Sequence, residues 1–127
     1  MLSSSQVYKL RAYSAKSAHS DGVKFVYDSS RSVNFLVVLN MDKDKIQLYG
    51  ANESEYDVIK RDSSRIDEKG MGWDYFHAID SKGEKCRIVL LAYGDIQKKQ
   101  ASEVDAFGSL SIQYDSYMVI FYLKNNK

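Results

Sequence analysis

The chain has no proline and a single cysteine among its 127 residues. Without proline, its turns fall to Gly, Asn, Asp and Ser. With Cys86 alone, an internal disulfide is excluded, and a cysteine-based zinc site is short of ligands. Neither sign of charge is in excess, because 18 basic residues face 17 acidic ones for a formal net charge of +1. Nucleic-acid binders usually carry a basic excess, since phosphate neutralisation supplies much of their affinity. No nucleic acid is therefore expected as a partner. Long hydrophobic runs are missing too. The longest, Phe35 to Leu39, has the length of a buried strand and falls far short of the roughly 20 residues that span a bilayer, so no membrane association is expected. The opening residues, Met1-Leu2-Ser3-Ser4-Ser5-Gln6, lack the basic and apolar regions of a secretory leader. Together these absences predict a soluble protein in a reducing, cytoplasmic setting.

What is present is an ordinary globular balance, 44% hydrophobic and 28% charged. A chain of this length can bury a core of its own, and no linker or repeat divides it, so residues 1–127 read as a single β-rich domain. Ten tyrosines lean the composition toward strands, where a ring can pack while its hydroxyl stays wet.

Alternation carries the strand assignments. Val33, Phe35, Val37 and Leu39 share one face, with Leu36 and Val38 on the other. Apolar residues on both faces predict a strand covered on both sides. Met41-Asp42-Lys43-Asp44 is the turn, and Lys45 to Tyr49 returns. Tyr56 to Arg61 forms a shorter strand after a polar loop from Gly50 to Glu55, and Asp62 to Gly72 reads as a flexible loop. A second hairpin runs from Trp73 to Ile79, turns at Asp80-Ser81-Lys82-Gly83 and returns from about Glu84 to Tyr93. A third pairs Ser109–Tyr114 with Met118–Leu123. Val7 to Tyr13 is a weaker strand, with a helix as its alternative. Lys24 to Tyr27 is another short strand, and Asp95 to Ala106 fits either a short helix or an ordered loop. The sum is mainly β: an antiparallel meander of about eight strands closed as a barrel, with a two-sheet sandwich as the alternative.

Motifs for chemistry are weak. Asn40, Asp42 and Asp44 lack the glycine and closing glutamate of a calcium loop. Gly70-Met71-Gly72 lacks the Gly-Lys-Ser/Thr ending of a phosphate loop. No metal or cofactor is expected. With the turn centred between Ser81 and Lys82, His77 would pair with Cys86 across the hairpin, the spacing of a base and a nucleophile. No third orienting residue or oxyanion loop accompanies them, so no catalytic residue is assigned. The aromatic residues have more functional colour. Trp73, Tyr75 and His77 share a face, and Tyr114 and Tyr122 lie on apolar faces of the last hairpin. Pointing into a barrel, these five would line a site for a small, partly apolar ligand.

The strand count resembles that of the lipocalin and fatty-acid-binding barrels, which implies a calycin-like closed sheet. The Gly-x-Trp of a lipocalin first strand is not found here, since the only tryptophan follows Gly72 directly in mid-chain. No family is assigned on that topology. The leading expectation is a non-enzymatic binding or protein–protein interaction domain, its partner another chain or a second copy of itself. A carrier of a small apolar ligand inside the barrel is the alternative, and an enzyme of unrecognised type is a third reading.

Overall fold

Backbone polar groups in alternating, β-branched and aromatic segments are satisfied by pairing, and hairpin turns bring each strand against the one before it. The computed structural model describes residues 6–50, 52–62, 64–94 and 106–125. Among them there is no helix, and ten strands are formed: β1 (Val7–Ser20), β2 (Phe25–Tyr27), β3 (Arg31–Asn40), β4 (Lys45–Tyr49), β5 (Glu53–Arg61), β6 (Arg65–Ile66), β7 (Gly72–Asp80), β8 (Lys85–Ala92), β9 (Ala106–Gln113) and β10 (Tyr117–Asn125). Strands β1, β3, β4, β5, β7, β8, β9 and β10 each pair antiparallel with the next, and β10 returns to pair with β1 from Leu10↔Asn125 to His19↔Tyr117. The product is a closed eight-stranded up-and-down barrel. Strands β2 and β6 lie outside it, paired to β1 and β7. Closure removes the open edges that a free sheet would present. No helix among the described residues is long and apolar enough to cross a membrane.

The barrel interior is occupied by one cluster drawn from seven of the eight barrel strands, with the eighth packed against it. Leu10, Ala12 and Ala15 come from β1, Val37 and Leu39 from β3, and Ile46 and Leu48 from β4. Phe76 and Ala78 come from β7, Cys86, Ile88 and Leu90 from β8, Leu110 and Ile112 from β9, and Phe121 and Leu123 from β10. Tyr56 and Val58 of β5 pack against it. Small residues alternate with large ones, as a narrow lumen requires. Phe35 meets Phe121 edge to face, with ring centroids 5.0 Å apart.

Three expectations change, and a fourth falls outside the described residues. Strand β1 runs on to Ser20, well past Tyr13, because a bulge there lets the inward set shift from Leu10 and Ala12 to Ala15. The stretch from Asp62 to Gly72 is not simply loop. Its β6 pairs with β7, and the Asp67 carboxylate accepts hydrogen bonds from the Lys69 and Met71 N–H groups. Residues 95–105 lie outside the described residues, and Ala106 opens β9. Lastly, the β7–β8 register is one residue off the expected one. Gly83 takes φ 83°, the Asp80 N–H donates to the Glu84 carbonyl at 2.9 Å, and the turn is therefore centred on Lys82. His77 consequently lies opposite Arg87, and Cys86 lies opposite Ala78. A one-residue slip reverses faces, so Cys86 points into the core while His77 points out, and the expected Cys–His neighbours are separated.

Candidate binding surface

The same reversal decides where the aromatic face goes. Along β7 the buried residues are Gly72, Asp74, Phe76 and Ala78, while Trp73 and Tyr75 are half-buried and His77 is exposed. Cross-strand partners confirm the parity, since Phe76 lies beside Ile88, and Ile88 beside Ile112. Trp73, Tyr75 and His77 are thus on the outer wall of the barrel rather than in its lumen. The lumen takes β7's smaller set because that set shares a face with Ile88 and Leu90, which have nowhere else to be buried. Tyr122 is on the outer wall too, opposite Ser109 and Ser14. Of the five residues expected to line one ligand site, Tyr114 alone turns inward, at the barrel mouth. The five do not converge.

The outer wall has a regular texture. One row runs Arg65, Trp73, Leu91, Ser109, Tyr122, and the next runs Tyr75, Val89, Ser111, Ile120. Pairing of β6 sets Arg65 directly opposite Trp73, with its guanidinium 5.2 Å from the Trp73 ring centroid and 6.0 Å from that of Tyr75. Arg87, diagonal to Tyr75 on β8, lies 4.7 Å from the Tyr75 centroid. Two cations therefore flank one ring, a favourable arrangement against the ring quadrupole. His77 Nε2 is 3.0 Å from Asp62 Oδ2. Near these rows, Ile59 on the β5 bulge and Ile66 on β6 are 59% and 63% exposed. At the far end Tyr13, Tyr93 and Tyr122 are mutual neighbours, and burial pushes the Tyr13 and Tyr93 hydroxyls up from their ordinary value. Sequence reasoning missed the arginines, since only the placement of β6 brings Arg65 to the aromatic rows.

No family model, curated protein or solved structure matches this chain. The geometry itself therefore carries the functional reading.

At the barrel mouth the Tyr114 hydroxyl donates to Asp80 Oδ2 at 2.7 Å and is also the neighbour of Tyr56 and Cys86. The Tyr117 ring stacks on Tyr114 with centroids 4.7 Å apart. A cleft of about 320 Å³ opens beside them, lined in part by Tyr56, Asp80, Glu84 and Tyr117. Burial pushes Tyr56 up to about 12 and also raises the Tyr114 hydroxyl and the Cys86 thiol. These groups hold their protons near neutral pH, the opposite of what an activated nucleophile or base needs. A second interior carboxylate, Asp74, is 5% exposed and accepts a hydrogen bond from the Ser64 hydroxyl. Among the described residues, no group of three His, Cys, Asp or Glu could hold a metal ion.

The mouth has a pH signature. The Tyr114 hydroxyl, helped by the Glu84 and Lys82 N–H groups, holds the Asp80 carboxyl below its ordinary value of 3.8. A carboxyl lowered by folding stabilises the fold above its unfolded pKa, and that contribution is lost as pH falls through the folded value. Tyr114→Phe is expected to destabilise the barrel at about pH 6, and the gap from the wild type should narrow toward about pH 2 as Asp80 protonates in both. Urea midpoints across that range measure it. A gap that does not change with pH would separate Asp80 from Tyr114.

Proposed function

We propose that this protein is a non-enzymatic interaction domain that docks another protein chain on the outer wall formed by β6 to β10. The observation that carries this reading is the outward set Trp73, Tyr75, Val89, Leu91, Ile120 and Tyr122. It forms rows of half-buried apolar and aromatic side chains over strands whose inner faces build the core. Trp, Tyr and Arg are the residues most enriched at interface hot spots. The apolar cluster that occupies the lumen favours this reading over that of a carrier with its ligand inside. The raised Tyr56, Tyr114 and Cys86 groups favour it over an enzyme.

The test uses a photo-crosslinking amino acid placed at Val89, in the centre of the wall, and at Lys43 in the β3–β4 turn, in the native host. Position 89 should give a discrete adduct with a second protein, lost in the Trp73→Ala, Tyr75→Ala double variant, and position 43 should give none. A chain that stays unlinked at position 89 would overturn the proposal.

A further inference from the structure

We infer that Arg65 and Arg87 form a carboxylate clamp around Tyr75 that selects an acidic peptide segment as the occupant of the outer wall. The inference rests on the docking role proposed for that wall and names the chemistry of its partner.

Several basic groups of the barrel are already paired. Lys45 is bonded to Glu55 and lies 3.2 Å from Asp57, Lys60 is 3.9 Å from Asp62, and His77 also meets Asp62. Arg65 and Arg87 pair with no described carboxylate. Instead they rest against Trp73 and Tyr75 at 4.7 to 6.0 Å from the ring centroids. A guanidinium on a ring face keeps its charge and leaves its N–H edge to a ligand, and contact with the ring restricts it before any ligand arrives. The planar fork matches a carboxylate with two parallel hydrogen bonds. Two such forks on either side of one tyrosine suit two acidic side chains of a single extended segment. Val89 and Leu91, outward on the neighbouring strand, offer apolar contact to aliphatic residues between them.

Two other occupants fit less well. A second copy docked through a two-fold interface sets this patch against itself and would bring the unpaired arginines toward one another. Single-stranded nucleic acid is held by bases stacked on open rings along a basic groove. Here guanidinium groups already lie against Trp73 and Tyr75.

Fluorescence anisotropy provides the test, with a labelled twelve-residue peptide alternating Asp and Leu, its counterpart alternating Asn and Leu, and a labelled dodecathymidylate. The acidic peptide should bind at least about tenfold more tightly than the Asn peptide, a difference of about 1.4 kcal/mol. Replacing both arginines (Arg65→Gln, Arg87→Gln) should remove that preference, while Lys43→Gln leaves it intact. Both arginines are exposed, and an unchanged circular dichroism spectrum confirms that the variant folds. Equal binding of the two peptides, lost on Trp73→Ala, would overturn the clamp and leave the docking wall standing. Tighter binding of the dodecathymidylate would overturn the acidic-peptide assignment. Binding of no probe would overturn the clamp, and the crosslinking result at Val89 would then decide the wall by itself.

Discussion

Phe76→Ala lowers the stability of the barrel by about 3–5 kcal/mol, the cost of deleting a buried aromatic side chain and leaving its cavity. Phe76 is 1% exposed and, among the described residues, is the largest of the fully buried side chains. The cavity would not collapse easily, because the wall around it is a closed ring of hydrogen-bonded strands. Against the 5–15 kcal/mol typical of a domain, the loss is a large fraction of the total. Urea unfolding should show a much lower midpoint with little change in slope. The paired control is Trp73→Ala, three residues earlier on the same strand. Trp73 is a larger side chain but faces outward, so its removal should cost only about 1 kcal/mol. If Trp73→Ala proved the costlier of the two, the inward and outward faces of β7 would be interchanged and the docking wall would lose its basis.

Gly108→Ala is expected to be comparably damaging, for a different reason. A Cβ at Gly108 would sit 1.7 Å from the Leu91 carbonyl oxygen and 2.8 Å from its carbon. Both are backbone atoms of β8, where Ala92 and Gly108 are register partners. Flexible side chains could swing aside, but a strand in a closed barrel can move only by opening its ladder to a neighbour. The expected loss is on the order of 3 kcal/mol. Hydrogen exchange should show it locally, with faster exchange of the β8 and β9 amides around Leu91 and Gly108 than of those in β3 and β4. Uniform protection across the barrel in a variant of wild-type stability would show that the β8–β9 contact tolerates a side chain.

The legible parts of the fold were those in which period-two alternation coincided with a turn signal. The Met41–Asp44 and Asp80–Gly83 turns each separate segments with clear apolar faces, and closure followed from having about eight such segments in meander order. Strand β1 was legible only as far as Tyr13. Beyond it, Ser14, Ala15, Lys16, Ser17 and Ala18 offer no large apolar residue, and their burial depends on strands far away in the chain, β3 and β10. Strand β6 is two residues long and exists because β7 offers it a place to pair, which is tertiary information. The face of β7 was the consequential ambiguity. Trp73, Tyr75 and Ile79 look more apolar than Asp74, Phe76 and Ala78, so alternation without register points the wrong set inward. Register came down to one residue in the turn, where Gly83 allows a three-residue connection. Tyr114 was legible as a strand residue, but its meeting with Asp80 joins residues 34 positions apart and has no local signal.

The seam between β1 and β10 bears on how the molecule is made. Leu10 is the register partner of Asn125, so the first barrel strand finds its second neighbour only in the last one. During synthesis, β1 can pair with β3 soon after both emerge, but its other side stays unpaired until β10 is released from the ribosome. Contacts that span nearly the whole chain carry a large loop-closure cost and slow folding. For that interval the barrel stays open along one seam, with that side of the β1 backbone lacking its barrel partner.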